Sequence, residues 1–169
     1  MAEKDAYKKM AENVMEWLKK RNMEACYCAD KSEAFELVLK LMEKKGSVSW
    51  GGSNTVRELG VLDCLRERGY EMIEYKEADK KEIGSPIFQQ VAGADYFLMG
   101  TNAITLRGEL VNIDGASNRL SSLLHGPKTV IIVAGINKLV RDVEAGIDRI
   151  QTSVCPVLAD NAGALEALQ

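Results

Sequence analysis

Apolar residues follow a helical spacing at the start of the chain. One face of the segment from Glu3 to Arg21 is apolar, and Lys and Glu dominate its other positions; the apolar residues are Met10, Val14, Trp17 and Leu18. Because positions three and four apart lie on one side of a helix, this pattern predicts an amphipathic first helix.

Short apolar runs and helical patterns then alternate up to residue 75. The predicted elements are a strand at Glu24–Cys28, a helix from Ser32 to Gly46, a strand at Ser47–Trp50, a helix at Thr55–Arg68 and a strand at Tyr70–Tyr75. Gly51 and Gly52 follow the second of these strands directly. The order is therefore strand, glycine turn, helix and strand, which is typical of parallel sheets.

The same alternation continues to the end of the chain, with one hairpin. After a solvated connection at Lys76–Glu82, the predicted elements are a helix at Ile87–Ala92 started by Pro86, a strand at Ala94–Met99, and a hairpin of Ala103–Leu106 and Glu109–Ile113 that turns at Arg107 and Gly108. A helix at Asn118–Leu124, a strand at Lys128–Ala134 and a helix at Leu139–Ile150 follow, and Val143, Ile147 and Ile150 face inwards on the last helix. The chain ends in a weakly ordered tail at Pro156–Gln169. We predict an α/β fold: a largely parallel sheet covered by helices on both faces, with a β-hairpin insertion.

Length and charge narrow the class of protein. The 169 residues fit one domain, 1–169, that begins with the helix at 1–22 and ends with the tail at 156–169. The formal net charge is -3 and the basic residues are dispersed, so we expect no binding to nucleic acid or membranes. The charged N-terminus has no apolar signal region, and no segment predicts a spanning helix, so we expect a cytoplasmic protein.

The four cysteines give no support for a metal site. None forms a Cys-x-x-Cys pair, and in a cytosolic protein we expect reduced thiols. Cys26 and Cys28 share a face of the predicted strand, and we expect them to be buried, as we do Cys64 in its helix. Cys155, which precedes Pro156, is the one expected to be exposed.

The glycine turn is the first candidate for a ligand site. Gly51, Gly52, Ser53 and Asn54 lie between a strand end and a helix start, where free N–H groups favour an anion. Alternatively the glycines make a tight turn, and Ser53 or Asn54 caps the helix without any ligand. The turn matches neither the Walker A loop nor the dinucleotide fingerprint, which argues against nucleotide hydrolysis.

Polar residues around the predicted hairpin form the second candidate. The ligand-binding candidates are Thr101, Asn102, Thr105, Asn118 and Arg119, and Asn112 and Asp114 lie among them. Arg119 either pairs with Asp114 or offers its guanidinium to a phosphate or carboxylate. The alternative is that these are ordinary turn residues. His125, the only histidine, is expected to stand at a helix C-terminus.

Two stretches closely resemble the LUD (lactate-utilization) family: WGGSNTVRELG (Trp50 to Gly60) and GTNAITLRGELVNIDGASNRLSSLLHGPKTVIIVAGINKLVRDVEAGIDRI (Gly100 to Ile150). The resemblance covers nearly the whole chain. It implies a fold like that of ribose-5-phosphate isomerase, glucosamine-6-phosphate deaminase and the coenzyme A transferases. It also implies a relation to a bacterial system that oxidises lactate beside iron-sulfur partner proteins.

Three hypotheses about function follow from this resemblance. The first is an accessory protein of lactate or related organic-acid oxidation. It binds a small anionic or nucleotide-like ligand at Gly51 to Asn54 together with Asn102, Thr105, Asp114, Asn118 and Arg119. The second is an enzyme acting on a phosphorylated sugar or an acyl-coenzyme A, with Asp114 as catalytic acid or base; Glu109 and Glu58 are the candidate nucleophiles for the coenzyme A reaction. Asn102 stands where related sugar-phosphate isomerases have a proton-exchanging aspartate, and an amide does not exchange that proton.

The third hypothesis is a structural subunit that docks an iron-sulfur partner protein. Many relatives carry several cysteines in a C-terminal tail, whereas Cys155 is the only cysteine in this region here. We therefore expect the chain not to bind an iron-sulfur cluster by itself. No motif identifies a cofactor, and the implied fold is compatible with a homodimer.

Overall fold

The computed structural model describes residues 2–75, 86–115 and 117–157 of the chain, and these form an α/β protein. Its helices are α1 (Ala2–Lys20), α2 (Lys31–Leu41), α3 (Asn54–Leu59), α4 (Val61–Glu67), α5 (Pro86–Ala92), α6 (Asn118–Leu124) and α7 (Val143–Arg149). Its strands are β1 (Ser47–Trp50), β2 (Glu71–Ile73), β3 (Tyr96–Met99), β4 (Ala103–Thr105), β5 (Leu110–Val111), β6 (Thr129–Ile132) and β7 (Leu139–Val140). A 3₁₀ turn (Ile136–Lys138) and a π-helical turn (Ile150–Val154) flank β7 and α7.

Contacts within the chain divide it into two compact units. We call them the sheet unit, which comprises Cys28–Gly100 and Asp114–Gly135, and the hairpin unit, which comprises Met1–Tyr27, Thr101–Ile113 and Ile136–Gln169. Each unit has its own sheet and its own apolar cluster.

The sheet unit is built on a parallel sheet of four strands in the order β2-β1-β3-β6. All three pairings are parallel, with Val48 beside Tyr96 and Tyr96 beside Thr129. Helices connect the strands, as parallel pairing requires. The predicted α/β fold with a parallel sheet is confirmed.

Both faces of this sheet are covered by helices. Successive side chains of a strand point to opposite faces, and all four residues of β3 are buried. Tyr96 and Leu98 pack with apolar residues of α2, α3 and α4, whereas Phe97 and Met99 pack with residues of α5 and α6. This explains why β3 is continuously apolar rather than alternating.

The hairpin unit contains the predicted hairpin and one strand that was not predicted. Strands β4 and β5 pair antiparallel, with Ala103 beside Val111, and β4 also pairs parallel with β7. Gly108 has a φ of 73°, and a Cβ there would lie 3.1 Å from the backbone nitrogen of Leu18 in α1. The hairpin turn therefore requires glycine both for its conformation and for its packing.

Helix α1 is attached to this hairpin by side chains. The Asn13 amide donates to the carbonyl of Leu106 at 3.1 Å, and Arg21 Nη2 donates to Glu109 Oε1 at 3.0 Å. The predicted amphipathic first helix is confirmed, and Val14 is its buried apolar residue.

The predicted strand at Glu24–Cys28 is wrong, and the predicted helix at Thr55–Arg68 is helical but interrupted at Gly60. Residues 24–28 pair with no strand among the described residues, and the Cys26 side chain is exposed, so these apolar positions join no ladder. The second segment is two helices, because Gly60 adopts a φ of 76° that ends α3 before α4 begins.

The predicted helix at Leu139–Ile150 is also partly wrong. Leu139 and Val140 form β7, and the helix begins only after Asp142, whose carboxylate accepts from the N–H of Ala145 at 2.9 Å. Ile150 faces inwards as predicted, but Val143 and Ile147 are 42% and 38% exposed.

One more predicted boundary differs from the structure, and two predicted segments fall outside the described residues. Helix α2 ends at Leu41, well before Gly46. The predicted connection at Lys76–Glu82 and the tail from residue 158 onwards lie outside the described residues. In the part of the chain that is described, no helix has the length and apolar character needed to cross a membrane.

Candidate functional site

The glycine turn follows β1 at the carboxyl end of the parallel strands, which we call the carboxyl edge of the sheet. The N–H of Gly51 donates to the carbonyl of Leu98 at 2.9 Å, so the turn leaves the sheet from a hydrogen-bonded position. Ser53 has an extended backbone, and its hydroxyl accepts from the N–H of Val56 at 3.3 Å. Ser53 is therefore the N-cap of α3, as one of the two interpretations of this turn predicted.

The two glycines of the turn differ in their surroundings. A Cβ at Gly52 would meet nothing within 4 Å, and both Gly52 and Asn54 are exposed. A Cβ at Gly51 would lie 2.8 Å from Cγ and 3.0 Å from Cδ of Arg119. The Arg119 side chain therefore occupies the space that any other residue at position 51 would need.

Arg119 is a buried arginine in the first turn of α6. Its side chain is 10% exposed, and its Nε lies 3.5 Å from Oδ1 of Asp114, whose side chain is also 10% exposed. A guanidinium is costly to bury unless charged and polar partners compensate for lost hydration, and the Asp114 carboxylate provides such compensation. The pairing of Arg119 with Asp114, one of the two alternatives, is therefore formed, and contact with a ligand stays a prediction.

The same carboxylate also begins helix α6. Asp114 Oδ2 accepts from the N–H groups of Arg119 at 2.9 Å and of Leu120 at 3.0 Å. Ser117, in the N-cap position, has a φ of 58° and makes no side-chain cap bond. Asp114 thus performs the capping from outside the helix.

Asn118 is another predicted ligand-binding residue that belongs to the sheet unit. It is buried at the start of α6, and its carbonyl accepts from the hydroxyls of Ser121 and Ser122, each at 3.0 Å. The sheet unit therefore brings Gly51, Asp114, Asn118 and Arg119 into one region. The first hypothesis from the sequence grouped Gly51 and Arg119 in one ligand site, although no spacing signal links the two residues.

The other predicted ligand residues belong to the hairpin unit, where they bind one another. The Thr101 hydroxyl donates to the carbonyl of Ala103 at 3.1 Å, and Asn112 Oδ1 accepts from the N–H of Asn102 at 3.1 Å. The Asn102 side chain accepts from the N–H of Ile113 at 3.0 Å. These bonds close the base of the hairpin, which is the role expected for turn residues.

Thr105 and Glu109 stabilise the tip of the hairpin. Thr105 is fully buried, its Oγ1 accepts from the N–H groups of Arg107 and Glu109, and its hydroxyl bonds to the Glu109 carboxylate. The other oxygen of that carboxylate pairs with Arg21. Glu58, the second candidate nucleophile, lies on the exposed surface of α3 and pairs with Lys31 at 2.7 Å.

A groove of about 260 Å³ lies on the α5 and α6 side of the sheet unit. Tyr75 and Phe88 form its aromatic wall in an edge-to-face arrangement with ring centroids 5.3 Å apart. Burial raises the pKa of Tyr75, and its hydrogen bond with Ser122 acts in the opposite direction. His125 lines the groove at the C-cap of α6, so its predicted place at a helix end is confirmed. The periodicity of α5 and α6 gave no signal of this groove.

The cysteines are all free thiols. Cys155 is exposed as predicted, whereas Cys26 is exposed against expectation, and Cys28 and Cys64 are partly buried. Within residues 2–75, 86–115 and 117–157, no group of three or more His, Cys, Asp or Glu side chains is arranged to hold a metal ion.

The fold and the site together define an α/β protein with a parallel sheet, a glycine turn at its carboxyl edge and a buried arginine against that turn. The profile of the LUD domain matches residues 11–167. The chain therefore belongs to the LUD domain family, and this membership relates it to lactate utilization. No curated protein and no solved structure matches the chain.

Proposed function

We propose that the protein binds a small anionic or nucleotide-like ligand at the carboxyl edge of the sheet unit. In this proposal it serves lactate or related organic-acid oxidation as an accessory subunit. The observation that carries the proposal is the buried Arg119 lying against Gly51. Ligands of open parallel sheets bind outside the carboxyl ends of the strands, which is where this arginine lies.

Two properties of the site favour an anion. A guanidinium held in a buried position interacts with a carboxylate or phosphate more strongly than one in water, because less solvent screens the charges. Gly52 has open space around its Cα, so a ligand group can approach the backbone of the turn closely. Because α3 spans only Asn54–Leu59 and Ser53 already caps it, the proposal relies on Arg119 rather than on the helix dipole.

The contacts of the candidate catalytic groups favour binding over catalysis. Asp114 accepts two backbone N–H bonds and pairs with Arg119, and Glu109 is held by Thr105 and Arg21. A general acid or base must reach the proton of its substrate, and a nucleophile must reach an electrophile. These contacts instead give both carboxylates structural partners.

A thermal-shift screen tests the proposal. The purified protein is heated with L-lactate, pyruvate, inorganic phosphate, ribose 5-phosphate, ATP or coenzyme A, each in turn. A ligand at about one hundred times its Kd stabilises the folded state by about 2.7 kcal/mol, which raises Tm by several degrees. We expect at least one carboxylate or phosphate compound to do so.

Variants separate binding at this site from binding elsewhere. Gly52→Val adds a side chain where the protein itself has room, so it should abolish the shift while leaving the ligand-free Tm nearly unchanged. Arg119→Lys keeps the charge but loses the planar fork, and should weaken the shift. Gly93→Ala is the matched control, because this glycine lies before β3 at the opposite edge and its Cβ would make only ordinary contacts. A shift that survives Gly52→Val, or no shift with any compound, would contradict the proposal.

The accessory role has a separate test. The protein would be purified with an affinity tag from its own cells grown on lactate, and the eluate assayed for iron and acid-labile sulfide. An iron-sulfur protein that co-elutes in a stoichiometric amount supports the role. Lactate oxidation by the purified chain alone would instead favour an enzyme.

A further inference from the structure

We infer that Asp114 is a positioning residue, which fixes the guanidinium of Arg119 for the ligand instead of exchanging a proton with it. This inference rests on the proposed function, since it assigns a role within the same site. It starts from the two oxygens of one carboxylate, each of which contacts a different part of Arg119.

The first oxygen fixes the backbone of the arginine. Asp114 Oδ2 accepts from the N–H of Arg119 at 2.9 Å and from that of Leu120 at 3.0 Å. These N–H groups belong to the first turn of α6 and have no partner inside the helix. Ser117, in the usual capping position, does not accept from them, because its side chain makes no cap bond. Asp114 therefore sets where the helix begins, and hence where the Arg119 Cα lies.

The second oxygen fixes the head of the side chain. Asp114 Oδ1 lies 3.5 Å from Arg119 Nε, at the distance of an ion pair rather than of a short hydrogen bond. Between these two points the stem of the arginine lies over Gly51, 2.8 Å from where a Cβ would be. Backbone, stem and head are thus each held by a different contact.

These contacts determine what Asp114 does chemically. One oxygen of this carboxylate accepts two backbone N–H bonds and the other faces the guanidinium, so both oxygens already have partners within the protein. Preorganised donors bind an anion more strongly than mobile ones, because less side-chain entropy is lost on binding. Asp114 thus acts on the ligand through Arg119.

The test uses nuclear magnetic resonance of the arginine Nε–H group, which reports on the guanidinium directly. A buried, paired Nε–H exchanges slowly with water, and the resonance of Arg119 is assigned by its loss in Arg119→Lys. Asp114→Asn keeps an oxygen that can accept from the two backbone N–H groups but removes the negative charge. We expect this variant to speed exchange of the Arg119 Nε–H about tenfold or more, because bonds to charged groups are the stronger ones. The backbone amide of Leu120 should remain protected.

Ligand binding supplies the second readout. For the compound that shifts the wild-type Tm most, Asp114→Asn should raise Kd about tenfold, because the guanidinium is no longer held in place before the ligand binds. An unchanged Nε–H resonance in Asp114→Asn would overturn the inference, whether or not any compound binds. An altered resonance without binding of any compound would support the positioning of Arg119 and defeat the proposed function instead.

Discussion

The two edges of the parallel sheet use carboxylates in contrasting ways. We call the edge where the parallel strands begin the amino edge. There, Asp95 accepts from the N–H of Ser47 at 2.9 Å and from Lys128 Nζ at 2.6 Å. Its side chain is 33% exposed and that of Lys128 is 73% exposed. At the carboxyl edge, Asp114 and Arg119 form a pair in which both side chains are 10% exposed.

The difference in exposure indicates different roles for the two carboxylates. Exposed pairs contribute little, because water screens the charges and the side chains lose entropy. Asp95 ties the starts of β1, β3 and β6 together, and this fully accounts for its contacts. A buried pair adds little net stability compared with apolar residues, yet it is costly to break. A buried pair at the carboxyl edge, where ligands of parallel sheets bind, is therefore more informative about function than an exposed pair at the amino edge.

The largest expected effect comes from breaking the buried pair. Asp114→Ala and Arg119→Ala should each lower the free energy of unfolding by about 3–5 kcal/mol, because each leaves the partner's charge buried without compensation. Urea denaturation measures both. The double variant should lose about 1–3 kcal/mol less than the sum of the single losses, since the two residues are in contact.

The control for the Asp114 and Arg119 variants is Asp95 at the amino edge. Asp95→Ala should cost clearly less than Asp114→Ala, because its partner Lys128 remains hydrated when left alone. Equal losses at both edges would contradict the contrast between a buried and an exposed pair.

A smaller effect is expected from a single methyl group in the glycine turn. Gly51→Ala places a Cβ 2.8 Å from the Arg119 stem and should cost about 1–3 kcal/mol, as overpacking does. Gly52→Ala meets open space and should stay within about 0.5 kcal/mol of the wild type. If the two variants unfold at the same urea concentration, Arg119 does not depend on Gly51.

The sequence predicted the sheet unit better than it predicted the site. Strand β3 is a short apolar run, and strand β1 alternates serine with an apolar residue directly before the two glycines, so their patterns identified them. The misassigned β7 contains only two residues, Leu139 and Val140, and no periodicity can be read from two positions. Gly60 was absorbed into one long helix, because an apolar spacing of three and four residues continues across it.

The sequence hypothesis grouped Gly51 with Arg119 in one ligand site, but it did not predict that the two residues are in contact. The two residues are distant in the chain, and only the packing of α6 on the sheet brings them together. The sequence did identify Arg119 and Asp114 as a candidate pair, because arginine and aspartate lie close in the chain. It did not indicate that Asp114 also caps α6, because the usual capping position is Ser117.

The next prediction concerns a polar atom that is buried in β1. The Ser49 side chain is fully buried, and among the described residues its hydroxyl has no hydrogen-bond partner. Burying an unpaired hydroxyl is unfavourable, so Ser49→Ala should raise the free energy of unfolding by about 1 kcal/mol. Urea denaturation would show this as a higher midpoint with an unchanged slope. A loss of stability would mean that the hydroxyl is satisfied in solution, for example by a bound water.

The smallest effect is expected at the amino edge and depends on pH. Hydrogen bonds from Lys128 and Ser47 lower the pKa of Asp95 from 3.8 to about 2. Because the folded pKa lies below the unfolded one, the contribution of Asp95 to stability is present above about 3.8 and is lost as the pH falls through about 2. The Asp95→Asn variant cannot titrate, so the stability difference from the wild type should shrink over this interval. Urea midpoints at several acidic pH values, with Asp63→Asn on the exposed surface of α4 as control, measure it. A difference that is constant with pH would show that the Asp95 contacts at the amino edge are equally strong without the charge.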